Sequence, residues 1–140
     1  MRSILLIDDC IDYREITAQV LTDAGYDVWE ASCPVEAIEY LHKETFDLVV
    51  CDLHMPFTMD ELYKEEFVVG YEVGVKTIQQ LKDVFPDLAI IALSSTTQEN
   101  LTRISRYLDS VPTYSKPIYN EKILELVDFH LEDPLATMMQ

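Results

Sequence analysis

Polar side chains that could form an ion-binding site follow four short apolar segments of this 140-residue chain. They are Asp8 and Asp9 after residues 3–7, Asp52 after 48–51, Ser94 after 88–93, and Lys116 after 111–115. Carboxylates that share a site raise one another's pKa, so such a group persists where a cation or an ammonium offsets its charge. Mg²⁺ takes oxygen ligands and is typically held by one or two carboxylates. The residue types therefore indicate a magnesium site with a lysine beside it.

The segments before these residues have the composition of buried β-strands, and a further strand is predicted at residues 26–31. Between them, apolar residues recur at helical spacing. The predicted apolar faces are Ile16, Val20 and Leu21; Val35, Ile38 and Leu41; Val75, Ile78, Leu81 and Phe85; Leu101, Ile104 and Leu108; and Ile123, Val127 and Leu131. Gly25 is placed to end the first helix and Pro86 the third, while Thr96 and Glu99 form a capping box for the fourth.

Strands that alternate with helices predict an α/β fold, a parallel sheet with helices on both faces. We expect a doubly wound, flavodoxin-like sheet of five strands in the order 2-1-3-4-5, which places the first and third strands side by side. The carboxyl ends of parallel strands share one edge, and ligands bind there. The five polar residues would meet at that edge.

The composition excludes several classes of function. Ten basic residues against 26 acidic ones give a net charge of -16, which repels nucleic acid and anionic membranes alike. Three cysteines, Cys10, Cys33 and Cys51, are an odd number without a CxxC pair, which argues against a disulfide framework and a zinc site. The N-terminus lacks a signal-peptide pattern, and no apolar segment approaches the length of a membrane span. We expect a cytoplasmic protein.

Four motifs together resemble the response regulator receiver domain of two-component signalling, in its single-domain, chemotaxis-regulator-like form. They are the acidic pair Asp8-Asp9, the segment 52–56 (DLHMP), the segment 90–95 (IIALSS) and the dipeptide Lys116-Pro117. Each motif alone is weak, because an aspartate after a strand is often only a turn residue. Four motifs at the correct strand ends are together specific for this family, and the resemblance covers residues 2–131.

The resemblance implies a role for each site residue. Asp52 would accept a phosphoryl group; Asp9, Asp52 and the backbone carbonyl of His54 would coordinate Mg²⁺, with Asp8 assisting through water. Ser94 and Lys116 would bind the phosphoryl oxygens. The side chain of His54 and Thr96 would tune dephosphorylation, and the small Ser95 would leave Asp52 accessible to its donor.

Two features depart from the family pattern. About ten residues are inserted near 57–69, before the third helix's glycine at Gly70 or Gly74, either as a functional loop or as a tolerated surface insertion. The aromatic residue that the family places three positions before the lysine is replaced by Thr113, and Tyr114 follows. Because neighbouring strand residues face opposite sides of a sheet, Tyr114 is not expected to inherit that role.

The resemblance implies a receiver domain at residues 1–131 and a short tail at 132–140. Its partners would be a sensor histidine kinase or histidine phosphotransfer protein and an unknown downstream protein, and its catalysis would be limited to weak autophosphorylation and autodephosphorylation. One alternative is a pseudo-receiver that only binds partners. Another is a phosphatase of the haloacid-dehalogenase type, which would lack its general acid because His54 and Cys10 stand two residues after Asp52 and Asp8.

Overall fold

The computed structural model describes residues 1–54, 72–95, 98–108, 111–118 and 120–132. Strands and helices alternate through these residues, as predicted. The elements are β1 (Ser3–Ile7), α1 (Ile11–Asp23), β2 (Asp27–Ala31), α2 (Pro34–Lys43), β3 (Leu48–Asp52), α3 (Glu72–Val84), β4 (Ile90–Ser94), α4 (Gln98–Tyr107), β5 (Thr113–Ser115) and α5 (Asn120–Leu131). β1 has the predicted bounds, and the bounds of the other four strands differ by one or two residues from those predicted.

All five strands are parallel, and their order is β2-β1-β3-β4-β5. The predicted flavodoxin-like order is thus confirmed. In the register, Ile7 pairs with Cys51, Asp52 with Leu93, and Ser94 with Ser115. The ends of β1, β3, β4 and β5 therefore lie at one edge of the sheet.

Helices cover both faces of this sheet. Alternate residues of β1 and β3, such as Leu5 and Val49, pack with apolar residues of α2, α3 and α4. Their neighbours Ile4 and Val50 pack with α1 and α5 on the other face. The central strands β3 and β4 are buried throughout, whereas the edge strands β2 and β5 are mostly half-buried. This difference follows from the position of each strand in the sheet.

Two predicted apolar faces were partly wrong. Ile16 is 49% exposed, and the buried residues of α1 are Tyr13, Thr17, Ala18 and Leu21. Successive helical residues are about 100° apart, so Ile16 points away from the row formed by Tyr13, Thr17 and Leu21. In α2 the buried residues are Pro34, Ala37 and Leu41, whereas Val35 and Ile38 are half-buried.

The end of α1 is determined by a glycine, as predicted. Gly25 has a φ of 101°, a conformation that L side chains rarely adopt. Its N–H donates to the carbonyl of Thr22 at 3.0 Å, and the N–H of Tyr26 donates to the carbonyl of Leu21 at 3.2 Å. This pair of bonds is the Schellman motif, which satisfies carbonyls left open by the last turn.

Three predictions lie outside the described residues. They are the insertion at 57–69, the capping and tuning roles of Thr96, and most of the tail at 132–140. None of the helices in the described part of the chain combines the length and apolar character needed to span a bilayer.

Candidate functional site

The predicted site residues meet at the carboxyl edge of the sheet. Asp8 follows β1, Asp52 and Ser94 are the last residues of β3 and β4, and Lys116 follows β5. The residues Asp8, Asp52 and Ser94 are all buried, at 5%, 4% and 0% exposure. Ser95 is exposed. Strand alternation places Asp52 on the same side of the sheet as Val50, the side that faces α1 and α5.

Lys116 lies between two of the carboxylates. Its Nζ is 3.0 Å from Oδ2 of Asp8 and 3.6 Å from Oδ2 of Asp52, and its side chain is only 14% exposed. The peptide bond that joins it to Pro117 is cis. Asp8 and Asp52 place two acidic groups in a buried part of this edge. The ammonium of Lys116 partly offsets their negative charge.

Asp9 completes a group of three carboxylates. One ligand oxygen from each of Asp8, Asp9 and Asp52 lies within 4.8 Å of the other two. Hard divalent cations bind such oxygen atoms, and Mg²⁺ in particular uses one or two carboxylates while it keeps several waters. The donor set present therefore fits Mg²⁺.

Burial and crowding shift the protonation equilibria of the site. Burial, together with the charge of Asp8, raises the pKa of Asp52 to about 7. Burial and Asp8 also raise the pKa of Asp9 above its ordinary value. Burial alone would lower the pKa of Lys116, but the carboxylates of Asp52 and Asp8 outweigh it and raise that pKa. A cation at the carboxylates would favour their ionised forms.

His54 contacts both Asp52 and Ser94. Its backbone N–H donates to Oδ1 of Asp52 at 3.2 Å, and its Nε2 is 2.8 Å from Oγ of Ser94. The sequence predicted a tuning position for His54 through the resemblance alone. The contact with Ser94 had no local signal, since 40 positions separate the two residues.

Contacts from α1 and from Cys10, the residue before it, hold the acidic end of the site, and the sequence did not predict them. The guanidinium of Arg14 donates to the backbone carbonyl of Asp8 at 2.7 Å and to Oε1 of Glu30 at 3.1 Å. The N–H of Cys10 donates to Oδ1 of Asp8 at 2.9 Å. Arg14 and Glu30 are 16 positions apart, so no local pattern indicated this contact.

Tyr114 lies on the side of the sheet that faces α5. It packs against the cluster that includes Ile123 and Val127, and its hydroxyl is 2.8 Å from Nε2 of His130. Thr113, the preceding residue of β5, faces the opposite side by strand alternation. Tyr114 and Thr113 thus face opposite sides of the sheet, as the sequence predicted.

Comparison with known proteins agrees with this geometry. A family model described as the response regulator receiver domain matches residues 4–128. A response regulator receiver protein of Anaeromyxobacter is 25% identical over 126 residues, which cover 90% of this chain and 47% of that protein. The sporulation initiation phosphotransferase F of Bacillus subtilis is 23% identical over 128 residues, with 91% and 92% covered.

Solved structures show the same fold. The chemotaxis response regulator CheY4 of Vibrio cholerae superposes with a TM-score of 0.74 at 22% identity, covering 94% of this chain and 99% of that one. The response regulator TrrA of Thermotoga maritima, solved in complex with Mg²⁺ and BeF, gives a TM-score of 0.71 at 23% identity, with coverage of 94% and 100%.

The fold and the acidic edge define a receiver domain of two-component signal transduction. The chain belongs to the response regulator receiver family. It spans about half the length of the Anaeromyxobacter relative and 18% of the transcriptional regulatory protein ZraR of Escherichia coli. Receiver domains of this family typically bind Mg²⁺ and interact with histidine kinases or phosphotransfer proteins.

Proposed function

We propose that this receiver domain accepts a phosphoryl group on Asp52 from a histidine kinase or a histidine phosphotransfer protein, and that phosphorylation changes its binding to a downstream protein. The observation that carries the proposal is the arrangement around Asp52. This carboxylate ends a central strand, lies 3.6 Å from the ammonium of Lys116, and has two further carboxylates within ligand distance.

In the proposed reaction, a carboxylate oxygen of Asp52 attacks the phosphorus of a phosphohistidine. The P–N bond breaks, its electron pair returns to the imidazole, and an acyl phosphate forms. Water later attacks the phosphorus, which releases inorganic phosphate and restores the carboxylate. The domain's contribution is to hold the nucleophile in position and to stabilise the charge on the transferring oxygens.

Each surrounding residue has a proposed role in that transfer. Asp9, Asp52 and the backbone carbonyl of His54 would hold Mg²⁺, and Asp8 would assist. When bound, Mg²⁺ supplies positive charge to the phosphoryl oxygens. Lys116 would move from carboxylate oxygens to a phosphoryl oxygen a short distance away.

Ser94 would donate its hydroxyl hydrogen to another phosphoryl oxygen. Because its Oγ already bonds to Nε2 of His54, we propose that the imidazole competes with the phosphoryl group for this hydroxyl. His54 would thereby tune the lifetime of the acyl phosphate. The resemblance assigns a tuning position to Thr96 as well, and the small Ser95 would leave Asp52 accessible to its donor.

Several observations bear on the protein's partners and location. The net charge of -16 favours a protein partner over nucleic acid or an anionic membrane. Cys10, Cys33 and Cys51 are all unpaired, which fits the reducing cytoplasm. The insertion at 57–69 is a candidate site for partner contact or for control of access to Asp52.

The pseudo-receiver remains the second candidate, because one observation favours it. Tyr114 packs toward α5 and bonds to His130, so β5 lacks an aromatic side chain on the face that looks toward α4. A receiver without this aromatic could bind partners without the usual coupling to phosphorylation.

The decisive experiment is incubation with Mg²⁺ and acetyl phosphate, followed by intact mass measurement. We expect the wild-type protein to gain one phosphoryl group and Asp52→Asn to gain none. Asp87→Asn, which changes an exposed aspartate in the turn between α3 and β4, is the matched control and should label normally. Labelled Asp52→Asn would place the acceptor elsewhere, and an unlabelled wild type would support the pseudo-receiver.

The same samples test the role of His54 after the donor is removed. His54→Ala should lose its phosphoryl group at a different rate from the wild type, by about threefold or more, because one hydrogen bond to Ser94 is worth about 1 kcal/mol. Equal decay rates in the two proteins would show that the contact with Ser94 has no tuning role.

A further inference from the structure

Tyr13 of α1 binds the loop between β5 and α5 through its hydroxyl group. The hydroxyl donates to the backbone carbonyl of Ile118 at 2.8 Å and accepts from the backbone N–H of Ile118 at 3.1 Å. The side chain is buried, with 9% exposure. One phenol thus satisfies both backbone groups of a single loop residue, which fixes the distance between α1 and this loop.

The aromatic ring of Tyr13 also faces the lysine of the site. Nζ of Lys116 lies 4.4 Å from the ring centroid, well within the distance of about 6 Å at which a cation is attracted to a ring face. The same ammonium contacts Asp8 and Asp52. Tyr13 therefore contacts both Lys116 itself and the backbone two residues beyond it.

The side chain of Lys116 requires more contacts than the carboxylates do to hold its charged group in one position. Its charge is carried on a flexible chain of four carbons, whose ordering costs about 2 kcal/mol of rotamer entropy. Lys116 also follows an edge strand of only three residues and precedes the exposed Pro117. The sheet alone thus gives Lys116 less support than it gives Asp52, which lies within a central strand.

We propose that Tyr13 is a positioning residue for phosphoryl transfer: it anchors the β5–α5 loop and provides the surface on which the ammonium of Lys116 rests between Asp8 and Asp52. The inference depends on the proposed function. Together with Arg14, which holds the carbonyl of Asp8, Tyr13 makes α1 the element to which both the acidic and the basic parts of the site are attached.

Two substitutions separate the hydroxyl from the ring. Tyr13→Phe keeps the ring and removes both bonds to Ile118, whereas Tyr13→Leu removes the ring as well. Tyr26→Phe is the matched control, because the hydroxyl of Tyr26 also makes a long-range bond, to Asp128 on α5, away from the site. Urea denaturation of each variant identifies conditions in which every protein compared is folded.

The first measurement is the exchange rate of the Ile118 amide hydrogen, which does not depend on phosphorylation. We expect faster exchange in both Tyr13 variants and no change in Tyr26→Phe. Unchanged exchange in Tyr13→Phe would overturn the proposed anchoring of the loop.

The second measurement is the rate of labelling by acetyl phosphate with Mg²⁺. We expect Tyr13→Phe to label about threefold to tenfold more slowly than the wild type, and Tyr13→Leu roughly tenfold to a hundredfold more slowly. If Tyr13→Phe labels faster than Tyr13→Leu, the difference between their labelling rates is the contribution of the ring. If Tyr13→Leu does not fold, the labelling rates of Tyr13→Phe and Tyr26→Phe are compared instead, and slower labelling by Tyr13→Phe alone supports the positioning role.

Folded Tyr13 variants that label at the wild-type rate would overturn this inference and leave the proposed function intact. Equal slowing by Tyr26→Phe would also overturn it, since the effect would then be general. Failure of the wild type to label would overturn the proposed function and the positioning role together.

Discussion

Asp52 is a buried carboxyl group held among other charges, and its environment opposes its ionisation. Burial and the negative charge of Asp8 raise its pKa to about 7, although Lys116 and the N–H of His54 favour the charged form. In the proposed function the carboxylate of Asp52 is the nucleophile and must be ionised, although its ionised form is costly to the fold. In the proposed function, a bound cation relieves this conflict.

This conflict predicts a pH dependence of stability in the absence of Mg²⁺. The folded-state pKa of Asp52 lies above the ordinary value of 3.8, so the folded state binds a proton that the unfolded state releases above pH 4. The free energy of unfolding therefore falls as pH rises from about 4 to about 7, then levels off. Asp52→Asn should remove this component and be more stable than the wild type at pH 8, by roughly 1 to 4 kcal/mol.

Urea denaturation in the presence of a chelator, at several pH values between 5 and 8, would measure the difference. Asp87→Asn should give a curve parallel to that of the wild type. A difference between wild type and Asp52→Asn that stays constant or shrinks as pH rises would contradict the prediction.

The helices on the two faces of the sheet support the site through different contacts. α1 contributes Arg14 and Tyr13, whose side chains reach Asp8 and the β5–α5 loop. α3 contributes close packing: a Cβ atom at Gly74 would lie 2.4 Å from both Cα and O of Leu53. Leu53 joins Asp52 to His54, so the approach of α3 influences where His54 lies.

Gly74→Ala should destabilise the protein by about 1 to 3 kcal/mol, because backbone atoms must separate to admit the methyl group. This cost exceeds the gain of up to about 1 kcal/mol in helix propensity. The displacement should also alter the contact of His54 with Ser94, visible as changed NMR signals of both residues.

Gly25→Ala is the control for this prediction. A Cβ atom there meets nothing within 4 Å, but φ is 101°, so the cost is backbone strain of about 1 to 2 kcal/mol. Gly25 follows the C-terminal end of α1, whereas the acidic site lies at the N-terminal end of that helix. The NMR signals of His54 and Ser94 should therefore not move. A Gly74→Ala protein with wild-type stability would contradict the packing argument.

The molecule as a whole is built on a parallel sheet, and one edge of this sheet brings three carboxylates together in a chain that is already acidic, with a net charge of -16. Clustered carboxylates destabilise the fold, and anything that binds them only in the folded state restores stability. We therefore expect the free energy of unfolding of the domain to depend on cations that bind the carboxylates at this edge.

Mg²⁺ should therefore raise the midpoint of thermal unfolding. At ten times its dissociation constant the stabilisation is about 1.4 kcal/mol, which corresponds to roughly 3 to 6 °C for a domain of this size. Asp9→Asn should weaken the effect, whereas Asp87→Asn should preserve it. Calorimetry with matched ionic strength tests this, and an equal rise in all three proteins would indicate general charge screening instead of a site.

Hydrophobic periodicity was sufficient to predict the five strands. Given the flavodoxin-like order 2-1-3-4-5, which agrees with the family resemblance, the polar residues at the strand ends predicted the edge at which Asp8, Asp52, Ser94 and Lys116 meet. Strand ends and helix spacing are local properties of the chain, and parallel connection rules leave few ways to arrange them. The exposed side of α1, where Ile16 lies, was not predictable, because it depends on which neighbours the helix meets.

The contacts that hold the site were decided only by the tertiary structure. Tyr13 and Ile118 are 105 positions apart, and His54 and Ser94 are 40 apart. No local pattern encodes such pairs, since each depends on how closely a helix or loop approaches the folded sheet. The raised pKa of Asp52 has the same origin, because burial and the nearness of Asp8 exist only after folding.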